Sequence, residues 1–401
     1  MPGHLGGFIV EQMYVVFVVL CATALFATSR TNSNYFNISK KGVLFFFLLL
    51  ELFYVVSYFH AEIRFSAGSG GVRDYLELAR YLIYLIFVVL VFFYHPRNSK
   101  HLAESLITAT LFFSLFIAFV YIVQVPILTG FFEDFLYVAT RDDLSQISTG
   151  GRVRFAAPFP NPNYLAYFLC MTLVYLLFFA IGLRRLVLIA VCLCILFLTG
   201  SRTGWLGAAV LVGFWQMMHI QLALSWRSNF GNLILLVGIS GALVLLIFGG
   251  FLPSVTRVSE LNSAIASGDI SSVESFTHRL EHNLFIWDSV KESLIWGLGP
   301  SKYSLTTVID NQYLLWITRQ GIVGFTIICL GIYFLFHRMM RAASGTFHVY
   351  GVLCFFLVIG IFGMTGAFLN NFRLFLLTLF FAAVILDSCL TGKAYSLVVK
   401  E

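Results

Sequence analysis

Apolar runs of about 20 residues recur along this chain between short polar breaks, near 7–28, 42–61, 74–94, 103–128, 162–182, 186–201, 204–222, 232–252, 311–335, 347–368 and 374–390. A helix of about 20 residues crosses the hydrocarbon of a bilayer, and it is favoured there because it satisfies its own backbone donors and acceptors. The pattern predicts an all-α polytopic membrane protein, with residues 1–401 forming one integral membrane domain of about eleven (10–12) spans. The longest segment without such a run is 253–310. Inside it, Ser272–Trp296 reads as a helix: Phe276, Leu280, Leu284, Trp287 and Leu294 recur at three-, four- and seven-residue spacing, with Glu274, His278, Glu281 and Asp288 along another face and Arg279 between the two. Tethered by spans at both ends, such a helix is expected to lie on the membrane with its apolar stripe down and its ionisable groups facing a cleft. A solvated amphipathic connector has the same pattern.

Composition removes the competing fold class. A length of 401 residues suggests two or three soluble domains, but 59% hydrophobic and 11% charged residues, with a mean hydropathy of +0.90, overrule that expectation. The first run has no Lys or Arg before it and no small-residue cleavage site after it, so it is expected to be a retained span. The seven cysteines fall inside apolar runs, which argues against a disulfide framework or a zinc site. The net charge of +6 comes from basic residues scattered among loops, so no nucleic-acid partner is expected.

Charge placement sets the orientation. Arg30, Lys40, Lys41, Arg97, Lys100, Arg184, Arg185, Arg227, Arg338, Arg341, Lys393 and Lys400 fall on one side of the predicted spans, which is then cytoplasmic. The 140–161 loop, the Ser201–Thr203 turn and the 253–310 loop come out on the other face. That face still carries Arg64, Arg73, Arg141, Arg152, Arg154, Arg202, Arg257, Arg279 and Arg373. Outer arginines work against orientation, so a cluster of them points to recognition of an anion, or else to ordinary ion pairs with neighbouring Asp and Glu. Deep in the spans lie only Glu51, Glu77, Arg80 and Arg319. Each costs roughly 2.5–3.5 kcal/mol to insert and should be paired or face a cavity.

Two outer segments carry candidate contacts. Asn161-Pro162 marks a helix start, with Asn as cap and Pro in the first turn, and the open N–H groups there, with Asn163 and Arg154 near in sequence, suit an anion or a hydroxyl. Leu198-Thr-Gly-Ser-Arg-Thr-Gly-Trp205 joins two apolar runs with almost no loop and holds Arg202 at headgroup level, where a phosphate is the expected contact.

These pieces stand in an order that resembles a known family. Arg154 with Phe159-Pro-Asn-Pro-Asn163, Gly200-Ser-Arg-Thr-Gly204, Arg279 with Trp287, Trp296-Gly-Leu-Gly299, and Asp310-Asn311-Gln-Tyr-Leu with Gly321 and Gly324 resemble the O-antigen polymerase (Wzy-type) and O-antigen ligase superfamily of bacterial inner-membrane glycosyltransferases. The resemblance implies a GT-C-like fold with its active site facing the periplasm, 140–161 and 253–310 as periplasmic loops, and no cofactor. It also implies transfer of a glycan from an undecaprenyl-pyrophosphate carrier to an acceptor hydroxyl. Membrane lipids and a chain-length-regulating co-polymerase would be its other partners. Arg202 and Arg279 match the family's arginines and would stabilise the leaving pyrophosphate, with Arg154 and Arg152 assisting and Asn163 and Tyr313 near the glycan. In the ligase branch a His directly precedes the Asn of a pattern that continues with nine residues and two glycines. Here that position is Asp310, while Asn311, Gly321 and Gly324 are kept. The change favours a repeat-unit polymerase in which Asp310 positions or deprotonates the acceptor, with His278 and His282 as other bases; a plain helix cap is the other reading of Asp310. A ligase and a lipid-linked glycan flippase are the competing functions. The scarcity of charges along the spans speaks against the flippase.

Overall fold

The computed structural model describes residues 40–65, 80–93, 99–123, 155–156, 159, 161–180, 183–222, 274–299, 309, 311–343 and 345–398. Among them every regular element is helical: α1 Lys40–Phe65, α2 Arg80–Phe93, α3 Ser99–Val123, α4 Pro162–Phe178, α5 Leu183–Leu198, α6 Arg202–Leu222, α7 Glu274–Val290, α8 Gln312–Ala342, α9 Thr346–Thr365 and α10 Phe372–Val398. Single 3-10 turns occupy Lys291–Ser293 and Phe368–Asn370. Among the described residues three helical stretches are long and apolar enough to cross a membrane, Gly42–His60, Gln312–Ala342 and Thr346–Thr365, and three shorter helices, Glu104–Val120, Pro162–Phe178 and Leu374–Leu390, are mainly apolar. This is a helical membrane protein. The expected spans at 7–28 and 232–252 lie outside the described residues, as do Glu77 and most of the 140–161 and 253–310 loops.

The face of α1 shows why the chain suits lipid. Phe45, Leu48, Leu52, Val56, Phe59 and Ile63 form one exposed stripe at three- and four-residue spacing, whereas Phe47, Leu50, Tyr54 and Ser57 are buried on the opposite face. A stripe of that size left open to water would be an aggregation site; against acyl chains it costs nothing.

The chain divides into two compact units, each described here by itself. The first contains α3 to α6 and the start of α9. Its centre is α4, apolar on all sides and buried along nearly its whole length, as such a helix must be. Gly204 of α6 lets the helices close up, since a Cβ there would come within 2.8 Å of the Ala166 Cβ and 2.9 Å of Leu196 Cδ1. Polar side chains tie the far end: Tyr175 hydroxyl donates to Glu104 Oε1 (3.2 Å), Arg184 Nη2 to Thr108 Oγ1 (3.0 Å), and Arg185 Nη1 to the Ala180 carbonyl (3.3 Å). None of the described cysteines forms a disulfide, and Cys170, Cys192, Cys354 and Cys389 are buried.

The second unit contains α1, α2, α7 from residue 275, α8, the end of α9 and α10. In α7 the buried stripe differs from the expected one. Ile286 and Val290 pack with Ile309, Leu314 and Leu315, while Leu284 and Trp287 stay exposed at 56% and 37%. Leu294, counted in the expected stripe, does pack partly against this cluster. The helix is apolar on two sides, and spacing alone does not say which side meets the start of α8.

Candidate functional site

Within the first unit the structure brings three sequence motifs to one end of the α4–α6 bundle. Asn161 caps α4, its Oδ1 accepting the Asn163 N–H at 2.8 Å, with Pro162 in the first turn as expected. The Phe155 N–H donates to the Leu198 carbonyl (3.1 Å), so the strand of chain just after Arg154 lies over the end of α5. There the chain reverses through Thr199, Gly200 and Ser201. Gly200 takes φ 58°, Ser201 N–H donates to Thr199 Oγ1 (3.2 Å), and Ser201 Oγ accepts the Gly204 N–H (3.2 Å) as the cap of α6. Arg202, the first residue of α6, is half-buried at this capped terminus. The close approach of Gly204 to Ala166 sets the N-terminal turns of α4 and α6 side by side. Two helix N-termini and an arginine at one end make a local positive potential suited to an anion. Arg152 and Arg154 lie outside the described residues, immediately before Phe155.

The second unit holds the other motifs in a denser arrangement. Asn311 caps α8, its Oδ1 accepting from Tyr313 N (3.0 Å) and Leu314 N (3.1 Å). Ten residues on, Gly321 adopts φ 66° and ψ −174° and breaks the helix. The Ile322 N–H, which an unbroken helix would give to Thr318, goes to the Leu294 carbonyl at 2.8 Å. The Thr318 and Arg319 carbonyls are released, and they accept instead from Leu298 N (2.6 Å) and Gly299 N (3.1 Å). Trp296-Gly-Leu-Gly299 is therefore the docking partner of the Gly321 break. Gly297 and Gly299 have φ 80° and 68°, and a Cβ on Gly321 would strike the Ile295 carbonyl. Ser57 of α1 completes the junction, accepting from Gly299 N (2.8 Å) and donating to the Arg319 carbonyl (2.5 Å). Ser293 Oγ donates to the Gly297 carbonyl (2.7 Å) and meets His60 Nδ1 at 3.2 Å.

The short first half of α8 also carries a buried polar row that spacing did not single out. Gln312, Thr318, Arg319 and Gln320 are each at most 4% exposed. Arg319 Nη1 donates to Asn370 Oδ1 (3.1 Å), and the Asn370 N–H donates to Gln312 Oε1 (3.1 Å), so the Phe368–Asn370 turn clamps both ends of that half-helix. Gln320 bonds the Tyr81 hydroxyl. A guanidinium in this setting must be hydrogen-bonded, and the sequence signal for it was only the rarity of a charge within a span. Of the expected site residues, Tyr313 donates its hydroxyl to the Gly360 carbonyl (3.0 Å) and so faces α9. His282 is half-buried on α7, the same helix carries His278 and Arg279, and Asp310 lies outside the described residues, between Ile309 and the Asn311 cap. Among the described residues no group of three His, Cys, Asp or Glu side chains is placed to hold a metal ion.

Comparison with known proteins adds one finding. Residues 186–329 match a family model described as O-antigen ligase, a stretch that contains both the Arg202 turn and the Gly297–Gly321 junction. No curated protein matches the chain.

Proposed function

We propose, on a family match that supports a place in the O-antigen polymerase and ligase superfamily, that this helical membrane protein polymerises polyprenyl-pyrophosphate-linked oligosaccharide repeat units. The observation that carries the choice of polymerase is Asp310, which stands directly before the Asn311 cap where the ligase pattern has a His. The coarser conclusion, an enzyme of the O-antigen ligase type acting on lipid-linked oligosaccharide at a membrane, rests on the family match itself.

The proposed reaction is a single displacement with inversion. The acceptor sugar hydroxyl attacks the anomeric carbon, a new C–O bond forms, and the bond from that carbon to the pyrophosphate oxygen breaks. The electron pair leaves with the pyrophosphate, and the hydroxyl proton passes to Asp310 or to His278 or His282. Arg202 and Arg279 hold the leaving group, with Arg152 and Arg154 assisting, and Asn163, Asn311 and Tyr313 complete the binding surface. The support for Arg202 is its place at the capped start of α6, beside the start of α4. A donor held in position before charge develops is worth about 3–4 kcal/mol, because it needs no reorganisation. The eleven-span GT-C architecture, with this face in the periplasm of the inner membrane, and a co-polymerase that sets chain length belong to the same proposal.

The description of the matching family model favours a second reading, transfer of finished polymer to a lipid A-core acceptor. One assay separates the two. Purified protein given a synthetic polyprenyl-pyrophosphate repeat as sole substrate is expected to yield a ladder of products, cut roughly 100- to 1,000-fold in Arg202→Ala. A silent reaction that starts only on addition of lipid A-core would establish the ligase and overturn the polymerase.

A further inference from the structure

Within the second unit, α1, α2, α8 and α10 line a partly open cavity of about 450 Å³. Its walls include Phe46, Leu50, Val88, Phe334 and Leu379, and Arg338 is the one charged residue among the described lining residues. The hydroxyls of Tyr81 and Tyr84 are already engaged, with Gln320 and with the Leu369 carbonyl. An apolar cavity of this size is within the range that holds a small ligand or a single hydrocarbon chain.

The basic end of the cavity points to the class of occupant. Arg338 is half-buried and its side chain has neither an ion pair nor a hydrogen bond among the described residues. The helices α1 and α8 run antiparallel here: Ser57 meets the Arg319 carbonyl, and a Cβ on Gly331 would strike the Phe46 ring. Carrying that register onward sets the start of α1, where Lys40 and Lys41 precede the lining residue Gly42, level with Arg338 on α8. Arg341 follows one turn later. The apolar cavity thus has its one charged lining residue, Arg338, at the end level with the start of α1, and Leu330 and Phe334, which line it, are exposed on the outer surface of α8. Basic pockets between membrane helices attract anionic headgroups, and the hydrocarbon of such a lipid is compatible with the walls.

We propose that this cavity is a binding site for an anionic phospholipid, one acyl chain lying between α1, α2, α8 and α10 and the phosphate resting on Arg338. The cavity is separate from the proposed glycosyl-transfer site, and the choice of a phospholipid over an isoprenoid carrier rests on that proposed function. A phospholipid is preferred to an isoprenoid carrier because the cationic end lies at the far end of α8 from Asn311, so a carrier seated here would hold its pyrophosphate away from that cap.

The test is native mass spectrometry of the purified full chain titrated with an equal mixture of dioleoylphosphatidylglycerol and dioleoylphosphatidylcholine. The wild type is expected to retain the glycerol lipid over the choline lipid by roughly fivefold. Arg338→Gln should bring that ratio to about one, and Leu379→Trp, which fills the cavity and leaves the arginine in place, should lose the selective adduct while eluting as monodisperse protein. Equal retention of the two lipids by the wild type, or a ratio unchanged in Arg338→Gln, would overturn the proposal. Displacement of phosphatidylglycerol by undecaprenyl phosphate in the wild type and Arg338→Gln alike would assign the cavity to an isoprenoid instead. Selective retention that survives in Leu379→Trp would place the lipid outside the cavity and sink the proposal as well.

Discussion

The turn before α6 and the turn that docks on α8 each support a helix segment bearing a half-buried or buried arginine, Arg202 and Arg319, yet they close in different ways. Thr199–Ser201 closes largely on its own neighbours: local hydrogen bonds link Ile195, Leu196, Phe197, Thr199, Gly200, Ser201 and Gly204. Gly297–Gly299 closes on distant chain. It bonds the carbonyls of Thr318 and Arg319 and the hydroxyl of Ser57, which lies 242 positions from Gly299. The first turn can hold Arg202 at a helix terminus through local caps, whereas the second keeps the broken half of α8 in place only while three helices and two glycine motifs stay together. A site assembled in the second way depends on positions far from the chemistry, and this difference can be tested by substitution.

The largest effect is expected at the break itself. Gly321→Ala forces a side chain into a left-handed conformation and against the Ile295 carbonyl, so stability should fall by about 3 kcal/mol or more. A melting temperature equal to that of the wild type in detergent would show that the docking of Gly297–Gly299 is dispensable. In the self-contained turn, Gly204→Val overpacks against Ala166 and Leu196 and should cost about 1–3 kcal/mol, with the loss confined to the α4–α6 bundle. Hydrogen exchange would read that confinement; protection lost equally around α8 would contradict it.

Ser57→Ala is a milder probe of the junction. It removes the acceptor of Gly299 N and one donor to the Arg319 carbonyl, both buried, for about 1–2 kcal/mol. If the long-range junction holds the candidate site together, this change lowers the proposed transfer activity as well as melting temperature; full activity in a destabilised protein would separate the two. The smallest effects belong to the caps, about 1 kcal/mol for either Asn→Ala change. Asn311 accepts two N–H groups and Asn161 one, so Asn311→Ala should exceed Asn161→Ala in chemical denaturation, and the reverse order would break the comparison.

Much of the local architecture was legible from residue types. Asn161-Pro162 marks a helix start wherever it stands before an apolar run, and α4 starts there. Thr199-Gly-Ser-Arg could only be a tight reversal, and Ser201 caps α6 within it. The spacing from Asn311 to Gly321 and Gly324 was visible as a family pattern without its physical cause, which is a capped half-helix ended by a left-handed glycine. What escaped was partnership. Trp296-Gly-Leu-Gly299 gives no sign that its amides complete the backbone of α8, and Asn370 gives none that it clamps Gln312 and Arg319. The buried side of α7 was misjudged for a related reason: the helix has apolar residues on two sides, and only contact with Ile309, Leu314 and Leu315 selects Ile286 and Val290 over Leu284 and Trp287.

By itself the sequence determined that this chain folds as apolar helices in a membrane, where α4 and α6 begin, and which of its motifs lie in the stretch that matches an O-antigen ligase family model. These follow from hydropathy and from side chains bonding backbone within a few residues, which are interactions the local chain encodes. Tertiary structure alone decided which glycine motif meets which, how the break in α8 finds its hydrogen bonds, and where an apolar cavity with one arginine opens. Those outcomes depend on close approach between segments up to hundreds of residues apart, and steric fit at that range has no periodic trace in the chain.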